Sequence, residues 1–327
     1  MTTRRSFTKA LALSPVMVSG LSRAFAQGAY PAKPIQMVVG FPVGQSSDLG
    51  ARVIAKAMAD ELKQTIYVDN KPGAATIIAH QFLKAAPADG YTIGYSSTAP
   101  LAINPTLYKN LAYDPQRDFD PIILINFSPM FLVTSKATPV SNLKEMIAYV
   151  KANKDTVAYG SGGSGLTNHI TMELLKKQAG LEMLHVPYKG APPMLADLMG
   201  GRVQFAFEVV SAVMPMIQAG NIKVLGVAGL ERTPAAPDVP TLHEQGLTGF
   251  ESGTWGVLLA PKGTPAAIVN QLNAAANKGL RMPEPMEYYA RNGATPKGGS
   301  PKDCADFMKA ERDKWAPVII ASGAQVD

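Results

Sequence analysis

Short apolar runs alternate with longer stretches of helical periodicity from about residue 35 to the C-terminus, the grammar of an α/β protein. Residues 35–40 read as a strand, entered after Pro34 and ended by Phe41-Pro42-Val43-Gly44. Over residues 48–63 the positions Leu49, Val53, Ala57, Met58 and Leu62 recur at helical spacing, with Ser46, Ser47 and Asp48 as candidate N-caps. Residues 66–68 and 92–95 are further strands, the second behind the turn Ala88-Asp89-Gly90. In the middle of the chain, residues 131–134, 156–159, 183–186, 203–208 and 224–228 read as strands, and the alternation in 203–208 predicts one buried face. Helices fall between them. One is capped by Ser141 and carries Leu143, Met146, Ile147 and Val150; one aligns Leu166, Ile170 and Leu174; one is opened by Pro192-Pro193. The last quarter predicts a strand at 257–259, a helix from Thr264-Pro265, and a final helix with Phe307 and Met308 behind the capping box Ser300-Pro301-Lys302-Asp303.

Composition narrows the class. A chain of 327 residues, 46% hydrophobic and 17% charged, is globular and long enough for two cores. The formal charge is +6, but Arg4, Arg5, Lys9 and Arg23 all lie in the first 26 residues, which hold no acid. The nearly neutral remainder lacks the basic stripe of a nucleic-acid protein. Cys304 is the only cysteine, so neither an intrachain disulfide nor a cysteine metal cluster is available. The N-terminus reads as an address: a basic opening with Arg4-Arg5-Ser6-Phe7, a short apolar run broken by Pro15, and Ala24-Phe25-Ala26 at a cleavage site. This predicts a twin-arginine-like export signal over residues 1–26, a mature chain from Gln27 and a periplasmic destination. Thr8 stands where the twin-arginine pattern has Leu, which leaves the Tat and Sec routes both open.

Two loops carry candidate chemistry. Gly160, Gly162 and Gly165 satisfy G-x-G-x-x-G between a strand and a helix. A dinucleotide site would need an acid closing the next strand, yet Glu182 precedes that strand and His185-Val186-Pro187 closes it. The broader reading is an anion site made of free N–H groups and the positive end of a helix dipole. Val43-Gly44-Gln45-Ser46-Ser47-Asp48 repeats that logic, so two lobes each offer an anion-friendly helix start. Catalytic constellations are missing. His80, His169, His185 and His243 show no i, i+4 pair, Leu166 spoils a nucleophile elbow after Ser164, and no P-loop exists. Ser164 with His169 reads as a helix cap beside a residue facing the cleft or core, ahead of a nucleophile–base pair. Phe250 and Trp255 form either an aromatic ligand wall or packing at a domain crossing, and Met214-Pro215-Met216 reads as core. No metal or cofactor is expected.

The chain resembles the Bug-type solute receptors of tripartite tricarboxylate transporters, along nearly the whole mature sequence. The resemblance is carried by Tyr30-Pro31-Ala32-Lys33-Pro34-Ile35, the Phe41-Pro42 loop ending Ser47-Asp48, Asn70-Lys71-Pro72-Gly73-Ala74 and Ala88-Asp89-Gly90-Tyr91-Thr92. Further on it rests on Ile103-Asn104-Pro105, Tyr113-Asp114-Pro115, His185-Val186-Pro187-Tyr188-Lys189-Gly190, Pro237-Asp238-Val239-Pro240-Thr241 and Leu258-Leu259-Ala260-Pro261. It implies a two-lobed periplasmic binding protein (type II, Venus flytrap), each lobe a mixed sheet flanked by helices. Lobe 1 would comprise residues 27–126 and 252–327, and lobe 2 residues 127–251, with crossings near Asn126 and Ser252. It also implies a small carboxylate ligand (a dicarboxylate, acidic amino acid or aromatic acid), a monomer, and integral-membrane transporter subunits as partner; the alternatives are a receptor for a signalling partner and, behind it, an exported enzyme acting on a small acid with His169 as base. The ligand would lie between Phe41, Gly44, Gln45, Ser46, Ser47 and Asp48 on one side and Ser161, Gly162, Ser164, Thr167 and His169 on the other. Ser97 and Thr98 would reach its far end, and Tyr188, Lys189, Gly190 and Glu208 would line the second lobe. Val43 and Gln45 depart from the family's Pro and Gly, Ala191 from a common Ser, and Glu208 from a common Asp.

Overall fold

The computed structural model describes residues 30–326, so the export signal expected over residues 1–26 lies outside the described residues. The first elements are β1 (Ile35–Val39), α1 (Ser46–Leu62), β2 (Ile66–Asn70), α2 (Ile77–Ala85) and β3 (Thr92–Ser97). A wide helical turn over Ala99–Ile103 leads through α3 (Asn104–Leu107) into β4 (Phe119–Ser135). The middle of the chain adds α4 (Leu143–Ala152), β5 (Ala158–Ser161), α5 (Thr167–Ala179), β6 (Leu184–Pro187), α6 (Ala191–Met199), β7 (Phe205–Val209), α7 (Val210–Gln218) and β8 (Ile222–Val227). Then follow β9 (Gly253–Pro261), α8 (Ala266–Gly279), α9 (Pro283–Arg291), β10 (Thr295–Pro296) and α10 (Pro301–Ser322).

The ten strands of the described residues form one mixed sheet with two halves joined by β4. In the first half β1 runs parallel to β2 and β3, with Ile35 opposite Ile66 and Gln36 opposite Thr92. Four of its five residues are apolar and buried, Gln36 alone being polar and half-buried, which suits a strand covered on both faces. β9 is antiparallel to β3 and to the first part of β4. In the second half β7 and β8 are antiparallel to the last part of β4, and β5 is parallel to both β6 and β7. The change of partner falls at one step: pairing with β9 ends at Pro129 opposite Gly253, and pairing with β7 begins at Met130 opposite Val209. The return connection crosses beside it, where Ser252 bonds Met130 and Ala228 through its backbone. From Pro31 onward the chain is one unit by its contacts, because the largest core cluster runs through both halves, from Leu124 and Trp255 to Phe207 and Tyr159. Helix α10 adds Trp315, Val318 and Ile319 to that cluster and packs on α5 as well as β4. A second core, with Phe131, Met194, Leu198 and Val213, lies between the second half-sheet and α6 and α7.

Several local expectations change. β4 runs for 17 residues, where the pattern marked only 131–134. In the 203–208 region Phe205, Ala206, Phe207 and Glu208 are all buried, because β7 sits between β4 and β5 and is covered on both faces. None of Ser46, Ser47 and Asp48 caps α1; Gln45 holds that place without a side-chain bond. Ser141 yields the capping of α4 to Asn142, whose side chain accepts from the Glu145 N–H, while Glu145 accepts from the Ser141 N–H. α5 starts behind Leu166, not Ser164, and the Leu166 side chain is exposed. Met214 and Met216 only flank the second core. The capping box of α10 is present, with the Asp303 N–H donating to Ser300 Oγ and the Ser300 N–H to Asp303 Oδ2.

Candidate functional site

A cavity of about 370 Å³ opens where the two half-sheets adjoin. Its walls come from the carboxyl ends of β1 and β3 with the start of α1, and from the end of β5 with the start of α5. Such crevices beside strand ends are where open α/β sheets hold ligands. α1 and α5 both begin here, so the first N–H groups of each helix lack intrahelical acceptors. Ser46, Ser47 and Thr167 add hydroxyls at the same two helix starts.

Eight of the residues expected at the site line the cavity: Phe41, Ser46, Ser47, Ser97, Thr98, Gly162, Thr167 and Glu208. Thr98 is already engaged, its hydroxyl oxygen accepting from the Trp255 backbone N–H at 3.0 Å. The others stand behind the wall or at its rim. Asp48 is fully buried and braces the first loop from beneath, accepting from the Gly44 N–H at 2.8 Å, from Arg52 Nε at 3.1 Å and from Asn70 Nδ2 at 2.8 Å. Burial pushes its carboxyl pKa up, but the bonds from Arg52, Gly44 and Asn70 and the Arg52 charge outweigh this and hold it below the usual range. Gly44 and Gln45 are exposed at the loop tip, as are Ser164 and Lys189 in their turns. Tyr188 donates its hydroxyl to Asp197, and the Gly190 N–H is spent on the Gly162 carbonyl.

Ser161 and His169 belong to a scaffold under the glycine loop. His169 Nδ1 accepts from the Gly165 N–H at 3.0 Å, and its ring stacks on His185 with centroids 4.0 Å apart. His185 in turn stacks on Tyr159 and bonds Ser161 Oγ through Nε2 at 2.7 Å. Gly165 has a φ of +78°, and a Cβ there would lie 2.6 Å from Leu107 Cδ2, so only glycine lets this loop meet α3. Burial lowers the pKa of His185, helped by the nearby His169, to about 4, and burial lowers His169 as well. A histidine depressed in the folded state contributes stability above its unfolded pKa of about 6.5, and that stability is lost as pH falls toward the folded value. Urea midpoints should therefore drop between about pH 6.5 and pH 4, and His185→Gln should flatten part of that slope. An unchanged profile in the variant would show that the stack does not carry the effect.

The sequence reading missed several lining residues: Tyr95, Asn126, Asn168, Thr254, Tyr288 and Asn292 among them. The Tyr95 hydroxyl donates to Asn126 Oδ1 at 3.2 Å, and burial raises its pKa. Tyr288 arrives on α9, which bears down on α1; Tyr289 beside it donates to the Gly50 carbonyl at 3.2 Å. Trp255 is both wall and core: it lines the cavity, while its Nε1 donates into the core to Glu311. Phe250 is packing only, stacked on Phe207. Among the described residues no Lys, Arg or His lines the cavity, and Glu208 is the one carboxyl group there. Among the described residues no metal-binding cluster exists, and no helix is long and apolar enough to cross a membrane.

A two-part mixed sheet with helix starts converging on a shared cavity is the architecture of periplasmic solute-binding receptors. The sequence profile described as "Tripartite tricarboxylate transporter family receptor" matches residues 50–324, and the chain belongs to that family. Protein BugT of Bordetella pertussis is 34% identical over 324 residues, covering 98% of this chain and 99% of its own. Among solved structures, Rpa4515 of R. palustris with adipate is 35% identical, with a TM-score of 0.77, and covers 90% of this chain and 98% of that one. The periplasmic binding protein BugD is 34% identical, with a TM-score of 0.74, and covers 90% and 99%. The chain is therefore a solute-binding receptor of the tripartite tricarboxylate type, as its resemblance implied.

Proposed function

We propose that this receptor captures a small carboxylate between two lobes, residues 27–126 with 252–327 and residues 127–251, and presents the closed form to integral-membrane transporter subunits without making or breaking a bond. The observation that carries this reading is the pair of helix starts, α1 and α5, that reach one cavity from different half-sheets with Ser46, Ser47 and Thr167 beside their free N–H groups. Rpa4515, solved with adipate, supports the ligand class. Each helix start contributes about 0.3–1 kcal/mol, up to about 2 when partly buried. Micromolar binding needs about 8 kcal/mol, so direct hydrogen bonds and desolvation of the ligand in the cavity supply most of it. A carboxylate that touches both halves binds the closed state better than the open one and so draws the equilibrium toward closure. The protein works in the periplasm as a monomer after export and removal of residues 1–26.

A thermal-shift screen of small carboxylates tests this. A ligand at 100 times its Kd adds about 2.7 kcal/mol of stability. Ser46→Ala and Thr167→Ala should each weaken the best hit by about 2- to 13-fold, the value of one hydrogen bond. The reading fails if no carboxylate raises Tm, or if both variants bind as tightly as the parent chain.

A further inference from the structure

Glu208 is a buried acid, 6% exposed, facing a cavity that no basic side chain lines among the described residues. Buried carboxylates in proteins are paired with cations or ligate metals, yet Glu208 takes part in no ion pair among the described residues. Its two protein partners are neutral donors. Oε1 accepts from the Val209 backbone N–H at 2.9 Å and Oε2 accepts from Asn168 Nδ2 at 3.3 Å. Both oxygens accept from neutral donors, no positive charge touches the group, and burial raises its pKa, so an arriving cation would supply what holds it ionised. Asn168 sits on the first turn of α5, and its Oδ1 accepts from the His169 N–H at 2.9 Å and the Gly162 N–H at 3.4 Å. Glu208 is thereby fixed in position relative to the helix start that receives the carboxylate.

We propose that Glu208 determines specificity within the carboxylate class by accepting an ammonium group of the ligand, so that the receptor takes amino-bearing carboxylates and discriminates against simple dicarboxylates. This rests on the carboxylate reading above and goes beyond it. A second ligand carboxylate placed against Glu208 would put two like charges together in a site with no counter-ion, which is costly. An ammonium there neutralises the buried charge and replaces its missing partner, through charge-assisted bonds stronger than neutral ones.

The test is calorimetric titration of the full mature chain at pH 7.5 with matched pairs, straight-chain and aromatic, of three to nine carbons. Succinate is paired with 4-aminobutanoate, glutarate with 5-aminopentanoate and also with L-glutamate, and benzoate with 4-aminomethylbenzoate. At least one amino compound should bind tenfold or more tighter than its partner lacking the ammonium. Glu208→Gln, checked for folding by its melting curve, should cut that ratio at least tenfold and leave the simple acid no weaker. The proposal is overturned if simple acids bind as well as or better than every amino partner in the parent chain. Dicarboxylate preference with uptake of a proton does the same, since it would make Glu208 a neutral donor. An unchanged ratio in Glu208→Gln also overturns it. If no carboxylate of either kind binds, the carboxylate reading itself falls; if carboxylates bind without regard to the ammonium, only the role of Glu208 falls.

Discussion

Replacing Glu311 with alanine should lower the unfolding free energy by about 3–5 kcal/mol, the range for removing one partner of a buried charged network. Glu311 is buried on α10 and serves three donors. Its Oε2 accepts from Trp255 Nε1 at 2.9 Å and from Trp315 Nε1 at 3.1 Å, and its Oε1 from the Lys314 ammonium. Both indoles are essentially inaccessible to water, so neither N–H has a substitute acceptor once the carboxylate is gone. Each orphaned donor costs about 1–3 kcal/mol. Trp255 belongs to β9 and lines the cavity, so the same substitution should also loosen the wall and weaken ligand binding. Glu311→Gln retains one acceptor oxygen and should lose less. Urea denaturation at neutral pH measures the difference, and a loss below about 1 kcal/mol in the alanine variant would show that the two tryptophans find other partners.

The second large effect is expected at Asp48. Asp48→Ala should cost about 2–3 kcal/mol, less than a fully buried pair because Arg52 is 44% exposed and partly screened. Three donors lose their shared acceptor together: the Gly44 N–H, the Arg52 guanidinium and Asn70 Nδ2. Without that brace the loop from Phe41 to Gln45 is no longer held against α1, and ligand affinity should fall together with stability. The sign with pH follows from the lowered pKa. The contribution of Asp48 is fully present above its unfolded pKa of about 3.9 and is lost as pH falls through the depressed folded value. Asp48→Asn should therefore narrow the gap to the parent chain as the solution is acidified below about pH 4. A gap that stays constant would place the effect in shape and not in charge.

The two loops at the helix starts were legible in the sequence because their signals are local: small residues, glycines and hydroxyls packed into six consecutive positions. The buried face of α1 is legible only in part: Ala57 and Met58 of the expected stripe are buried, but Leu49 is 43% exposed, and the helix also buries Ala51, Ile54 and Ala55, which the pattern does not mark. Small residues let it approach α8 closely, where a Cβ on Gly279 would lie 3.0 Å from Ala57 Cβ, and periodicity of large apolar side chains does not report such a contact. β4 was read only at its end because Pro121, Asn126, Ser128 and Pro129 interrupt the apolar pattern; the strand absorbs them with register shifts at Pro121/Ile123 and Leu124/Asn126. Tyr288 and Asn292 are brought to the cavity from more than 200 residues beyond the first loop, and nothing near them in sequence announces a site. Glu208 was singled out, but its lack of a cationic partner emerges only once β7 and α5 are side by side.

The lone thiol of Cys304 lies inside the C-terminal helix, 1% exposed. Burial, with the neighbouring Asp303 charge, pushes its pKa up to about 12, and a protonated, covered sulfur does not attack maleimides or iodoacetamides. Fluorophores can therefore be attached at chosen cysteines without first removing the native one. Val43→Cys in the first loop and Leu184→Cys at the edge of the second half-sheet are both highly exposed positions, and a donor–acceptor pair placed there turns the protein into an optical gauge of the spacing between its two halves.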